Sequence, residues 1–498
     1  MVNKKLGILF LFSVILAFLA GFFAQRILPS TPQQNSSGMF DYIIQSFENY
    51  YYYDVDDEEI HAAFIKTMEA AIKSIAETNG DPYTRLLAIP LSASPSDDEK
   101  FVGVGISFLF EDQHIRIGYV YPQGPAHGLM FPNDLIIGMK DEGNPIYFKD
   151  LSSEDAVIQR LKGTLNEEKI FIVKDPLGNE RDVVITYQEI LTPTAYQKDL
   201  GEEHIAYIHI TSFAGVSETS IGTAAVFQNI LNQLEQTVLN GTNKTLILDL
   251  RDNPGGALTA LHNQGQASML PGITQQLLAR NLERPLFTMI PKSGTVQNFY
   301  GNLSQPKSYD IKVLVNEHSA SAAEVLAAVL NTEGGYELYG RPTYGKGVYQ
   351  NQVRLSDIRN VRYVLVYTEG EWYYGDGLNV ATTPLDVHFI AATGMRNIDM
   401  PIFSRVMSKD HVYSELSSYQ QFLNVYYGLT GINALRTDGY YDELTRQKVM
   451  QYNTEKELTG DVISLETARH IHLDYMYAMS SLTHDDELQV LIQLIKSA

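Results

Sequence analysis

The sequence predicts an α/β core carrying an inserted α+β module, a small all-α tail and a single N-terminal transmembrane helix. Three observations predict it. From 191 to about 400, apolar strands alternate with helical stretches, the rhythm of helices covering a sheet. From about 100 to 190, short strands dominate around one capped helix. From 411 the chain reads as helical and polar to its end.

The N-terminal helix rests on Leu6 to Gln25, a run without charge that follows Lys4 and Lys5 and is closed by Arg26. Such a run spans roughly 30 Å, the hydrocarbon thickness of a bilayer. The two leading lysines favour an inside N-terminus. No small-x-small cleavage site follows, so residues 1–26 read as a signal anchor rather than a cleaved peptide. Residues 27–97 hold a Pro- and Ser-rich linker, then helical periodicity over 39–78 (Phe40, Ile43, Ile44, Phe47; later Phe64, Met68, Ala71, Ile72 and Ile75). The turn Gly80-Asp81-Pro82-Tyr83 and a second linker at 92–99 complete that region.

The module spans 98–190. FVGVGISFLF alternates, GPAHGLMFPNDLIIGM reads as turn, short helix and strand, and SSEDAVIQRLKG is a helix capped by Ser152 or Ser153. KIFIVKD and DVVITYQ close it as strands. The core spans 191–405. IAYIHI, TLILDL and IKVLVN are its strands; residues 218–238 and SAAEVLAAVLN are its helices. The continuous apolar run of TLILDL suits a strand covered on both faces. Residues 411–498 form the helical tail.

Composition narrows the function. A chain of 498 residues with 44% hydrophobic and 19% charged residues can bury several cores. Its net charge of −22 argues against a nucleic-acid partner, because phosphate binding needs a basic surface. With no cysteine there is no thiol nucleophile, zinc ribbon or disulfide. No HExxH or other metal-ligand spacing occurs, and no cofactor is expected.

Two strands run into turns that carry chemistry. LILDLR leads into Asn253-Pro254-Gly255-Gly256, where paired glycines let bare backbone N–H groups approach a ligand. IKVLVN leads into Ser319 and Ser321, at the start of a helix whose free N–H groups and dipole could stabilise an oxyanion. Simple helix capping is the competing reading of either serine. A serine needs a base, and Lys346 is a lone lysine in an uncharged, glycine-flanked segment. Desolvation there would lower its pKa and make it a general base. Gln350, four residues on, could hold the amine. The stretch from Gly340 to Gly347 nearly matches a phosphate-binding loop, but Gly347 stands where that loop needs Ser or Thr.

Taken together, SASAAE at Ser321, Lys346 and then Gln350, the NPGG turn, FVGVGISF and GPAHGLMFPNDLI resemble the carboxyl-terminal processing (tail-specific) proteases of peptidase family S41. The resemblance covers about 39–395. It implies a crotonase/ClpP-like sheet with covering helices and an inserted PDZ domain over 98–190. It further implies a serine endopeptidase with Ser321 as nucleophile, Lys346 as base and Gln350 as orienter. The N–H of Ala322, with that of Gly255 or Gly256, would form the oxyanion hole. Val102, Gly103, Val104 and Gly105 would bind the substrate's carboxylate. His318 stands where the family usually has Gly, and Val104 where Ile is commoner.

Residues 411–498 resemble the peptidoglycan-binding-like helical domain that ends some of these proteases in Gram-positive bacteria. The partners so implied are protein substrates with free C-termini and the membrane, with peptidoglycan and a second copy of the chain as further candidates. The catalytic part would face outward from the cell membrane. The rival readings are an inactive membrane-anchored PDZ scaffold and a cell-wall-binding protein.

Overall fold

The computed structural model describes residues 57–90, 100–217, 220–263, 270–358 and 361–497. The expected anchor, residues 1–26, lies outside them. Among the described residues, no helix is long and apolar enough to cross a membrane.

The core is a six-stranded sheet. From one edge it runs Ala195–Gln197, then β1 (Ile205–Ile210), β2 (Thr245–Asp249), β3 (Asp310–Val315), β4 (Glu337–Gly340) and His388–Phe389. Only the first pairing is antiparallel; β1 to β2, β2 to β3 and β3 to β4 are parallel. β2 is buried at every residue: Leu246, Ile247 and Leu248 are apolar and covered on both faces, and Asp249 is buried in its pair with Arg251. On one face pack α1 (Thr223–Gln236) and α2 (Ala322–Thr332), with Phe227, Leu231, Leu326 and Leu330 in a shared core. A second sheet joins β5 (Val348–Ile358) and β6 (Val361–Tyr374) to Phe287–Pro291 and to Arg85–Pro90. The last of these pairings lays the Gly80–Tyr83 turn beside the segment that follows Gly340.

Residues 100–191 form their own unit around Ile115, Ile136, Phe148, Phe171 and Ile185. Its sheet runs Ile106–Glu111, His114–Val120, Leu135–Asp141, Glu168–Lys174, Glu180–Thr186, with a helix at Glu154–Leu161 capped by Ser153 Oγ. Among the described residues, Ile106–Glu111 is therefore an edge strand, paired on one side.

The tail divides differently from the expected single unit over 411–498. Its core starts earlier, at Met395, Ile398, Phe403 and Met407, and reaches Tyr475 and Met476 of α3 (Leu465–Ser480). The last helix, α4 (Asp486–Ser497), leaves that unit. Its Leu488, Leu491 and Ile492 pack on Ile205, Tyr207, Ile247 and Leu314, the face of the core sheet opposite α1 and α2. An amphipathic helix buries its apolar stripe wherever a complementary face is open, and the sheet's second face would otherwise be bare.

Candidate active site

The strands β2, β3 and β4 end side by side, and the loop after each converges on one place. The loop after β2 turns at Asp252 and reaches Gly255 and Gly256. Gly255 has φ +97°, and a Cβ there would stand 2.8 Å from Ser321 Cβ and 3.0 Å from Ala322 N. Gly256 has φ +142°, and a Cβ would meet the Phe213 carbonyl oxygen at 2.2 Å. Both positions demand glycine for conformation and for space. The Gly255 N–H donates to Asn253 Oδ1 at 2.8 Å. The Asn253 side-chain amide in turn donates to Ile210 O (2.8 Å), and the Asn253 backbone carbonyl accepts from Ala320 N–H (2.9 Å). The glycine turn and the serine loop are thus one hydrogen-bonded piece.

The two serines separate cleanly. Ser319 is fully buried; its hydroxyl donates to Leu250 O at 2.8 Å and accepts from Asn316 N–H at 2.9 Å. It ties β3 to β2 and has no room for a substrate. Ser321 is half-buried at the N-cap of α2, with φ +56° and ψ −117°. A non-glycine residue at such a φ is strained, and strain of this kind persists only where the surroundings over-determine it.

Glu324 supplies much of that determination. It is wholly buried, and its Oε2 accepts both the Ser321 N–H and the Lys346 N–H, each at 2.9 Å. Its Oε1 accepts the Gly345 N–H at 2.6 Å. One carboxylate oxygen therefore holds the backbone of the candidate nucleophile and that of the candidate base. Burial pushes the Glu324 carboxyl up, and these N–H groups oppose the shift. The Tyr344 N–H adds a further tie, to Ser319 O at 3.0 Å.

Lys346 is 8% exposed. Burial brings its ammonium down from the ordinary 10.5 to about 8, with Arg85 acting in the same direction and Glu324 and Asp81 against it. Its Nζ lies 4.4 Å from the centre of the Tyr83 ring, a cation–π distance. The Lys346 carbonyl accepts the Trp372 indole N–H at 2.8 Å. Gln350 sits at a β-bulge in β5, and its amide nitrogen donates to Thr368 Oγ1 at 3.3 Å, which itself donates to Asp81 Oδ1 at 3.0 Å. The glutamine is thus joined to the Gly80–Tyr83 turn.

In the inserted unit, Val102 and Gly103 end a strand, Lys100–Gly103, that pairs antiparallel with Gln188–Leu191; the two residues after it are held by the Ala126 N–H on Val104 O (3.0 Å) and the Tyr121 N–H on Gly105 O (2.9 Å). Gly105 at φ +79° lies so close to Gly124 that a Cβ would sit 2.6 Å from its Cα.

The profile of peptidase family S41 matches residues 204–387, a range that encloses the glycine turn, Ser321, Lys346 and Gln350. The chain carries a peptidase family S41 domain. It is 26% identical over 482 residues to the carboxy-terminal processing protease CtpB of Bacillus subtilis, across 94% of this chain and 91% of that protein. A probable CtpA-like serine protease of Staphylococcus aureus strain MSSA476 is 26% identical over 518 residues, 99% of this chain and 92% of its own length. Among solved structures, a photosystem II D1 C-terminal processing protease is similar with a TM-score of 0.38 and 20% identity, over 72% of this chain and 94% of that one. The chain is a serine-type peptidase.

Sequence reasoning named Ser321 and Lys346 but overlooked Glu324, although Ser321-x-x-Glu324 has the spacing of a capping box. Tyr83 and Asp81 carried no signal of their own beyond the turn that contains them.

Proposed function

We propose that Ser321 is the nucleophile and Lys346 the general base of a peptidase that cleaves protein substrates through an acyl-enzyme. The observation that carries this is the shared Glu324 Oε2, which fixes the two backbones against each other beside the glycine turn. Neutral Lys346 takes the Ser321 hydroxyl proton as Oγ attacks the scissile carbonyl. The Ala322 N–H, with that of Gly256, receives the oxyanion; the Gly255 N–H, the other donor the sequence offered, is already given to Asn253 Oδ1. Lys346 then protonates the leaving amine, and water repeats the sequence to release the acyl group. Gln350 orients the amine from the bulge in β5. The positive end of α2 and its first free N–H groups favour negative charge at this spot.

Residues 98–190 act as a PDZ module. The Val102–Gly105 loop binds a free C-terminal carboxylate, and the peptide adds as a strand to Ile106–Glu111. The open edge and the glycine-bearing loop beside it support this reading. Residues 1–26 anchor the chain in the cell membrane, with the catalytic part outside the cytoplasm. The charge-free run of Leu6 to Gln25 supports this part of the reading.

The test is a fluorophosphonate probe followed by peptide mapping, together with cleavage of an unstructured protein such as casein. The adduct is expected on Ser321 and is absent in Ser321→Ala. Labelling at another serine, or cleavage by Ser321→Ala, would overturn the assignment.

A further inference from the structure

A charge cluster with a fully buried centre, extended by part-exposed Arg396, Asp252, Arg341 and Glu317, joins the end of the chain to the roots of all three active-site loops. Arg251, the residue after Leu250 at the end of β2, is 1% exposed. Its guanidinium meets Asp485 in a two-pronged pair, Nη1 to Oδ1 at 2.9 Å and Nη2 to Oδ2 at 2.7 Å. It also meets Glu487 Oε2 at 2.9 Å and, through Nε, Asp249 Oδ1 at 3.0 Å. Asp485 and Glu487 belong to the start of α4, 2% and 1% exposed.

Both acids reach further. Asp485 Oδ2 also pairs with Arg396 Nε at 3.2 Å, and Arg396 lies 3.4 Å from Asp252 Oδ2. Asp252 exchanges two hydrogen bonds with the Asn316 side chain, at 2.9 and 2.8 Å. Glu487 Oε1 pairs with Arg341, the first residue after β4, and Arg341 Nε donates to Glu317 Oε2 at 2.7 Å. The loops so gripped are 251–256, with the glycine turn; 316–321, with Ser321; and 341–346, with Lys346.

We infer that Asp485 and Glu487 are positioning residues of the catalytic centre, and that the chain end 482–497 is part of the peptidase machinery rather than of the helical appendage. The inference rests on the peptidase reading given above. Buried carboxylates and guanidinium groups are costly to desolvate and tolerate only the geometry in which they are paired. A network of this kind adds directional constraints, in fixed distances and angles, to those of close packing. Misplacing a reacting group by about 1 Å can cost about 100-fold in rate. Two carboxylates from one short segment thereby set the relative position of the oxyanion turn, the nucleophile loop and the base loop, without touching substrate.

The test uses the full chain carrying Asp485→Asn and Glu487→Gln together. Asparagine still caps α4, whose Leu488 N–H is bound to Asp485 Oδ1, so helix capping is kept while the charge is removed. We expect kcat to fall about 30- to 100-fold with KM little changed, since no substrate contact is lost. Fluorophosphonate labelling of Ser321 should slow in parallel while the near-ultraviolet circular dichroism stays native. A purely structural role predicts a lower Tm and an unchanged kcat in the folded protein, and that result overturns the inference. If the double variant does not fold, Glu487→Gln is read in the same way, because Arg251 keeps Asp249 and Asp485. Its kcat per folded molecule should fall about 10-fold, and a wild-type value overturns the proposal. Cleavage by Ser321→Ala, or none by the unmodified chain, would instead sink the underlying peptidase reading.

Discussion

The catalytic loops and the Val102–Gly105 loop both leave the end of a strand and both rely on glycine, yet they are held in different ways. Around Ser321 the chain is pinned by buried side chains: Glu324, Asn253, Ser319, Asn316 and the carboxylates of the chain end. Around Gly105 it is pinned by backbone alone, through the pairing of Lys100–Gly103 with Gln188–Leu191, two further backbone bonds and close contact with Gly124, and among the described residues the neighbouring strand keeps an open edge. The contrast fits the two tasks proposed above. Bond-making needs atoms fixed to fractions of an ångström, and it can carry a strained φ only inside a rigid frame. Strand addition needs an accessible ladder and a few free N–H groups, and rigid side-chain bracing would add little.

The sharpest break of that comparison lies between the two serines. Ser321→Ala should abolish cleavage, a loss on the order of 10⁴-fold or more in kcat, with the fold intact by circular dichroism. Ser319→Ala should leave the chemistry in place and destabilise by about 1–3 kcal/mol in a denaturant titration, because it strands buried groups of β2 and β3. The reverse pattern would mean that the wrong serine has been assigned.

Next in size is the base. Lys346→Arg should be as inactive as Lys346→Ala, a loss of about 10²–10⁴-fold, since arginine stays protonated at any ordinary pH. Glu324→Gln should cost about 10- to 100-fold in kcat. Its amide presents one acceptor oxygen where the carboxylate serves three N–H groups, and a stopped-assay comparison of kcat and KM would reveal a pure kcat effect.

At the module the effect should be smaller and confined to binding. Amidating a peptide's C-terminus removes a charged acceptor worth about 1.5–3 kcal/mol, so calorimetry should report affinity weakened by about 10- to 100-fold. Equal affinity for the free acid and the amide would remove the carboxylate role from Val102–Gly105.

The framework of this protein is legible in its sequence wherever the cause is local. β2 announced itself by an unbroken apolar run, α2 by alanines and a leading serine, and the glycine turn by its composition. Lys346 stood out because its surroundings lack charge. The bracing was not legible, for a physical reason: its partners are far apart in the chain. Arg251 and Asp485 are separated by 234 residues, and nothing near either one foretells the other. The period of α4 likewise gives an apolar stripe but not the surface that receives it, so sequence alone groups the chain end with the helices before it. Ser319 and Ser321 were equally good helix-start serines until burial divided them.

A further expected effect concerns stability alone and tests the burial that lowers the Lys346 pKa. Because Lys346 in the folded state sits at about 8 against an ordinary 10.5, the folded chain binds that proton less tightly than the unfolded chain. Stability should therefore rise with pH between those values, and the charged lysine should cost stability below them. Lys346→Met, inactive, should gain up to about 3 kcal/mol at pH 7.

The pH dependence of kcat/KM tests the central claim most directly, because it reads the free enzyme's base in place. With Lys346 as that base, kcat/KM should climb about tenfold per pH unit from pH 6, bend near the lysine's value of about 8, and level off above it. A profile that is flat from pH 6 to 9, or one that falls as the lysine loses its proton, would contradict the account.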